Sequence, residues 1–192
     1  MSVNVLIVGP QGAGKGTQAK NIAEQYGVPH LATGDLYRAH AAAGTELGKL
    51  VEPLMDAGKL VPDEITIPIV RSEIEAATSG FVLDGYPRNL AQAEALDAML
   101  EEIERPLSVV LLLELDDEIA RDRMLSRAKT EGRTDDTPEA IDRRLATYHE
   151  QTEPVVEHYL ATGRLVKVHA ERSIDEVWAE IQDALEAVEA RA

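Results

Sequence analysis

The chain has 192 residues, enough for one domain with a full core and a small inserted lobe. Its 35 acidic residues against 19 basic ones give a formal net charge of −16, which argues against nucleic acid or an anionic membrane as a partner, because both are polyanions. The absence of cysteine excludes disulfides, a thiolate zinc site and a cysteine nucleophile. No apolar stretch is long enough to cross a bilayer and no secretory signal pattern is found, so we expect a cytoplasmic protein.

The first motif lies between a predicted buried strand that ends at Val8 and a helical pattern that begins at Lys15. It reads GPQGAGKGT, residues 9–17. Its glycines let backbone N–H groups approach phosphate oxygens, the helix N-terminus adds its positive dipole end, and Lys15 can reach the outer phosphates. The general pattern has a hydroxyl directly after the lysine, whereas here Gly16 comes first and Thr17 follows. The alternative is a glycine-rich turn with an incidental lysine, but its setting between strand and helix favours a nucleotide-binding loop.

The helix from Lys15 is expected to end near Gly27, and residues 28–32 are a candidate for a short strand. Thr33 is predicted to cap a helix that starts at residue 34. A second helix is predicted over residues 45–56 because its leucines, valine and methionine share one face. We expect these two helices to form a small lobe.

The rest of the chain continues the alternation of strands and helices. Strands are predicted at 81–83, 108–113 and 165–168, and helices over 62–79, 90–102, 116–129, 137–151, 154–163 and from 174 onwards, the last behind a capping box of Ser173 and Glu176. Residues 130–136 are predicted to form a polar loop. Alternating strands and helices predict an α/β fold, a doubly wound five-stranded parallel sheet with helices on both faces.

Charged and polar residues follow the predicted strands, where an α/β sheet binds its ligands. TGDLYR follows the second strand and DGYPR the third. Arg38 and Arg88 in these segments can hold a phosphate bidentately, which suggests a second phosphorylated ligand opposite the glycine-rich loop. Two facing phosphorylated ligands favour phosphoryl transfer.

Four further arginines bracket the polar loop: Arg123, Arg127, Arg133 and Arg144. A solvated helix face is the usual explanation for a pair of arginines at helical spacing. Four of them around one glycine-containing loop favour a mobile cover that brings positive charge onto phosphates and excludes water. Arginines, a lysine and Mg²⁺ are sufficient for phosphoryl transfer, which needs positioning and charge neutralisation more than covalent help.

Several motifs together resemble the nucleoside monophosphate kinases, and within them the adenylate kinases. The motifs are GPQGAGKGTQ, TGDLYR, AGKLVPDE, GFVLDGYPRNLAQAEAL and GRTDDTPEAIDRRLATYHEQTEPV. They follow one another in the family's order over essentially the whole chain, and the family also carries glycine and then threonine after the lysine of the loop. The resemblance implies the P-loop fold and the reaction ATP + AMP ⇌ 2 ADP with Mg²⁺, by direct in-line transfer.

The resemblance also implies a role for individual residues. Those expected to bind ATP are Gly12, Ala13, Gly14, Lys15, Gly16, Thr17, Arg123, Arg127 and Arg172. Those expected to bind AMP are Thr33, Arg38, Lys59, Leu60, Val61, Gly85, Tyr86, Pro87, Arg88, Gln92, Arg133 and Arg144. Those expected to act in catalysis are Lys15, Arg88, Arg127, Arg133 and Arg144. Asp84 is expected to orient waters on Mg²⁺, and Asp135 and Asp136 are expected to be partners of arginines, although a metal pair is the alternative.

The expected single domain has three parts. They are a core of residues 1–32, 63–127 and 138–192, an AMP-binding lobe of residues 33–62, and a short lid of residues 128–137 without zinc. The expected ligands are ATP, AMP and ADP, and the expected state is a monomer. Thr33 and Gln92 favour AMP, because an amide offers adenine both a donor and an acceptor. The alternatives are a UMP/CMP kinase and a nucleotide-binding module that has lost transfer.

Overall fold

The computed structural model describes residues 3–190, and its centre is a five-stranded parallel sheet within that range. The strand order is β2-β3-β1-β4-β5, with both neighbours of β1 paired in register over its apolar residues. The strands are β1 Val3–Val8, β2 His30–Ala32, β3 Gly80–Asp84, β4 Val109–Glu114 and β5 Leu165–His169. The predicted fold class is therefore confirmed.

Helices connect the strands and cover both faces of the sheet. They are α1 Lys15–Tyr26, α2 Thr33–Ala42, α3 Glu46–Asp56, α4 Asp63–Ala76, α5 Leu90–Glu102, α6 Asp117–Glu131, α7 Pro138–Thr147, α8 Glu153–Ala161 and α9 Ile174–Glu189. Within residues 3–190 none of these helices is long and apolar enough to span a membrane.

The alternation of side chains along β1 explains the two layers of the core. Leu6 points to one face, where α4, α5 and α8 cover the sheet, and Ile7 points to the other, where α1 and α9 cover it. Both side chains are almost completely buried. A strand that is apolar on both faces is typical of the middle of a parallel sheet.

The helical pair α2 and α3 lies beside this core and has its own apolar cluster around Tyr37, Val51 and Val61. The two helices cross closely at Gly48, where a Cβ atom would stand 2.1 Å from the carbonyl oxygen of His40. Only glycine fits at this crossing. The predicted pair of helices is thus present.

Three predicted element boundaries are wrong. Thr33 does not cap α2 but is its first residue, and its hydroxyl donates to the carbonyl oxygen of Gly85, 2.9 Å away. Helix α6 continues to Glu131 and takes up the start of the predicted polar loop. A π-helical turn, Tyr148–Thr152, joins α7 to α8 without a break, where two separate helices were expected.

Candidate active site

A cavity of about 680 Å³ opens at the carboxyl ends of the central strands. Its lining includes Gly9 after β1, Thr33 after β2 and Gly85 after β3, as expected for a ligand site in a parallel α/β sheet. Residues of the α3–α4 connection and of α6 and α7 complete the wall. The segments that the sequence predicts to hold two phosphorylated ligands therefore share one space.

The glycine-rich loop wraps tightly between β1 and α1. Gly12 and Gly14 have positive φ angles of 88° and 85°, and a Cβ atom on Gly12 would lie 2.7 Å from the carbonyl oxygen of Ala120. The Lys15 ammonium group donates to the carbonyl oxygens of Gly9 and Pro10 at 2.7 and 2.8 Å. The lysine thus curls back over the loop, and the N-terminus of α1 faces the cavity beside it.

Burial lowers the pKa of Lys15 to about 8; Asp84 opposes this effect, while Arg88 and Arg127 reinforce it. Burial alone would raise the pKa of Asp84, but His30 and Lys15 outweigh burial and hold it below its usual range. The nearest approach of the His30 ring to Asp84 is 3.5 Å, between Nε2 and Oδ2. The cavity therefore has an ionised carboxylate next to a cluster of cationic groups.

Two arginines of the cavity wall, Arg127 and Arg144, form ion pairs with carboxylates. Arg127 donates to Oδ2 of Asp136 through Nε at 2.9 Å and Nη2 at 2.7 Å. Arg144 donates to Asp135 at 2.6 Å and also contacts Asp136, whose side chain is fully buried. The Asp135 pKa is lowered, because Arg144 outweighs the effect of burial. The two carboxylates are thus partners of arginines, in agreement with the expected role and not with a metal pair.

Arg123 lies against the loop from the other side. Its guanidinium group donates to the carbonyl oxygen of Ala170 at 2.8 Å and to that of Glu171 at 3.3 Å. Arg123, Arg127, Arg133 and Arg144 all line the cavity. Arg172 lies outside the cavity lining and pairs with Glu180 on α9, at 3.5 Å.

Comparison with known proteins identifies the family of this chain. A family model described as adenylate kinase matches residues 7–164. The chain is 50% identical to the adenylate kinase of Synechococcus sp. (strain RCC307) over 185 residues, which cover 96% of this chain and 100% of that protein. It is 47% identical to the adenylate kinase of Thermobifida fusca (strain YX) over 192 residues, covering 99% and 100%. It is 46% identical to the adenylate kinase of Stenotrophomonas maltophilia (strain R551-3) over 185 residues, covering 95% and 99%. The chain belongs to the adenylate kinase family.

These matches confirm the family predicted from the motifs. They also confirm the predicted class of enzyme, a phosphotransferase of the nucleoside monophosphate kinase type. The match covers the glycine-rich loop, the segments after β2 and β3 and all of α6 and α7. Gly16, which departs from the general loop pattern, lies within the matched residues.

The far wall of the cavity, away from the glycine-rich loop, is formed by the segments after β2 and β3 and by the α3–α4 connection. Thr33, Arg38, Arg88, Gln92 and residues 59–61 line it. The Arg88 Nε atom donates to the Gly85 carbonyl oxygen at 2.7 Å, and burial lowers the pKa of Arg88. Arg38 is more exposed and pairs with Asp35 at 2.6 Å. Every residue that the sequence predicts for AMP lines this cavity.

Two of the residues predicted for ATP do not line the cavity: Arg172 and Ala13, whose side chain is buried in the core beneath α1 and α9. Sequence reasoning missed Tyr37, Thr66 and Thr152, which do line it. Thr152 belongs to the π-helical turn and donates to the carbonyl oxygen of Arg88 at 2.8 Å. A π-helical turn has no local sequence signal that could have shown this contact.

Proposed function

We propose that the protein catalyses the reversible reaction ATP + AMP ⇌ 2 ADP in this cavity, with Mg²⁺. The observation that carries the proposal is a single cavity lined both by the glycine-rich loop and by the Thr33, Arg88 and Gln92 wall. Family membership adds support, because the relatives named above are adenylate kinases. A donor on the loop and an acceptor at the far wall would bring their phosphates together between cationic groups, so direct transfer needs no phosphoenzyme.

The donor side of the proposal rests on the loop. The backbone of residues 12–17 would bind the phosphates of ATP, with the N-terminus of α1 behind them. Lys15 would leave the carbonyl oxygens of Gly9 and Pro10 and contact the transferred group. Arg123 would lie under the adenine, and the backbone around Arg172 would accept from the base. Arg127, Arg133 and Arg144 would neutralise the charge that develops during transfer.

The acceptor side rests on the far wall. Arg88 and Arg38 would bind the AMP phosphate, because a guanidinium group matches two phosphate oxygens at once. Thr33 and Gln92 would contact the adenine, with the backbone of residues 59–61 and the segment Gly85, Tyr86 and Pro87 beside it. The partly buried position of Arg88 supports its role, since a guanidinium group there gains more from a phosphate than a fully exposed one does.

The residues around Asp84 fit Mg²⁺. This ion prefers oxygen ligands and keeps several of its waters, so one carboxylate close to the nucleotide phosphates is enough. Asp84 faces the loop, since a Cβ atom on Gly16 would lie 3.6 Å from its Oδ2 atom, and its pKa is held low. When bound with ATP, Mg²⁺ neutralises phosphate charge and aligns the transferred group. Asp84 would hold the waters of the ion through its carboxylate.

Two segments would move around the bound nucleotides. The AMP-binding lobe is proposed at 33–62, which contains α2 and α3, and the lid at 128–137, which contains the end of α6 and Arg133. Arg133 pairs with Glu131 at 2.7 Å near the tip of this segment, so it can exchange an exposed partner for a phosphate. All groups that the reaction needs belong to one chain, which supports a monomer.

The proposal is tested by measuring ADP formation from ATP with AMP, UMP, CMP or GMP as acceptor, with Mg²⁺ and with excess EDTA. We expect turnover with AMP that EDTA abolishes. Lys15→Ala and Arg88→Ala should each lower turnover by about 10²-fold or more. Arg71→Ala is the matched control, because Arg71 lies on α4 outside the cavity lining, is partly exposed and pairs with Glu75 and Glu102. A preference for UMP or CMP would overturn the base assignment, and ATP binding without transfer would indicate a silent module.

A further inference from the structure

The side-chain amide of Gln92 is held at both ends by the protein. Its Nε2 atom donates to Oδ1 of Asp63 at 2.7 Å, and its Oε1 atom accepts from the backbone N–H of Arg88 at 2.8 Å. Gln92 is only 2% exposed, yet it lines the cavity. The amide is therefore held in one fixed place, in a residue of the cavity wall.

The orientation of this amide follows from the chemistry of its two partners. A backbone N–H can only donate and a carboxylate can only accept, so the oxygen must face Arg88 and the nitrogen must face Asp63. The reverse orientation would put N–H against N–H and oxygen against carboxylate, two buried contacts without a hydrogen bond. Arg88 contributes through its backbone, which any residue provides, whereas Asp63 contributes through its side chain.

Asn89 shows that Asp63 orders a second amide in the same way. The Nδ2 atom of Asn89 donates to both carboxylate oxygens of Asp63, at 3.1 and 3.3 Å. Its Oδ1 atom accepts from the backbone N–H of Gln92 at 2.8 Å and so caps α5. Asp63 lies in the first turn of α4, so one carboxylate joins the start of α4 to the start of α5.

The fixed amide has one donor and one acceptor left for a ligand. The oxygen retains a second lone pair and the nitrogen a second hydrogen, side by side. Adenine offers the matching pair, since its 6-amino group donates and its ring atom N1 accepts. Hypoxanthine and guanine offer the opposite pair, because their oxygen at position 6 accepts and the hydrogen on N1 is donated. Only an inverted amide would fit a 6-oxopurine.

We propose that Asp63 is a specificity-determining positioning residue, which holds the Gln92 amide in the orientation that accepts from a 6-aminopurine and rejects a 6-oxopurine. The inference rests on the proposed function, which puts the acceptor base at Gln92. It adds that the Asp63 carboxylate, which contacts Gln92 and not the base, determines the choice between the two purine classes.

The test compares AMP with inosine monophosphate as acceptors of the same enzyme. Asp63→Asn replaces the acceptor-only group by an amide that can also donate and keeps the shape, so an inverted Gln92 amide loses one hydrogen bond, that with the Arg88 N–H, instead of two. We expect the ratio of kcat/KM for AMP to that for inosine monophosphate to fall by about tenfold or more. The KM for ATP should stay unchanged. Glu64→Gln is the matched control, because Glu64 is the other acidic residue in the first turn of α4, and it should leave the ratio unchanged.

A double-mutant cycle separates this role from a merely structural one. In a Gln92→Ala background, Asp63→Asn should have no further effect on the ratio, because the amide it orients is gone. An equal loss of activity with both acceptors in Asp63→Asn, or a further fall of the ratio in the Gln92→Ala background, would overturn the inference. Wild-type protein that fails to phosphorylate AMP would instead overturn the proposed function.

Discussion

Replacement of Lys15 by methionine should stabilise the nucleotide-free protein while it removes activity. Burial lowers the pKa of the Lys15 amine from 10.5 to about 8. Each pKa unit corresponds to about 1.4 kcal/mol, so the folded, empty protein holds the charged amine at a cost of about 3 kcal/mol. Methionine has a similar shape and no charge, so the variant avoids this cost.

The expected gain is smaller than the full cost, because Lys15 also donates two hydrogen bonds to the loop. Each is worth about 0.5–1.5 kcal/mol in net terms, although the Gly9 and Pro10 carbonyl oxygens can turn to water in the cavity. We therefore expect Lys15→Met to raise the free energy of unfolding at pH 7 by about 1–3 kcal/mol, which for a chain of this length raises Tm by about 2–10 °C.

The dependence on pH identifies the cause. Between pH 8 and 10.5 the unfolded chain keeps the proton on Lys15 and the folded protein loses it, so the wild-type protein gains stability as pH rises through this window. Below pH 8 the cost is fully present. The advantage of the variant should therefore be largest at pH 7 and should shrink toward pH 10.

The assay is urea denaturation of wild type, Lys15→Met and Lys20→Met without nucleotide, at pH 7 and pH 10. Lys20 is the matched control because it is an exposed lysine on the same helix, and its replacement should leave stability nearly unchanged. A variant at Lys15 that is no more stable than wild type at pH 7, or an advantage that does not shrink with pH, would refute the reasoning.

Three further predictions concern the walls of the cavity. Asp136→Asn should lower the free energy of unfolding by about 3 kcal/mol in urea denaturation, because its fully buried carboxylate is the partner of two guanidinium groups; unchanged stability would contradict this role. Arg143 donates to the carbonyl oxygen of Ala57 at the end of α3, so Arg143→Ala should raise the KM for AMP by about 2- to 10-fold and Arg143→Lys should restore it. An alanine at residue 143 with normal KM would show that this contact does not hold α3. Gly48→Ala should destabilise the crossing of α2 and α3 by about 1–3 kcal/mol, since the added carbon would overlap the His40 carbonyl group; a Tm equal to that of the wild type would argue against it.

Local patterns in the sequence were sufficient for the sheet, the glycine-rich loop and most helix ends. The capping box of Ser173 and Glu176 is present at the start of α9, and α7 begins at its predicted place, with Thr137 as its cap. These features depend on residues within one turn of each other, and so the sequence contains their whole cause.

The wrong or missing predictions concern features that local sequence patterns do not determine. Thr33 is a good capping residue, but a carbonyl group 52 positions away, that of Gly85, takes its hydroxyl. Asp63 was overlooked because its partner Gln92 is 29 positions away and nothing near residue 63 signals it. The proline at residue 154 predicts the start of a new helix, whereas a π-helical turn before it lets the chain continue without a break. Contacts between distant segments decided the first two of these cases.

The carboxylates of Asp135 and Asp136 have a consequence for anions in solution. They already occupy the guanidinium groups of Arg127 and Arg144, and because they are tethered to the same chain they compete at a high effective concentration. A free inorganic phosphate ion, diluted in the solvent, is a weak competitor for such sites. A phosphate that belongs to a docked nucleotide is itself tethered and can compete on equal terms. The internal ion pairs would thereby act as a filter, keeping the arginines ordered but closed to small anions until a whole nucleotide has bound.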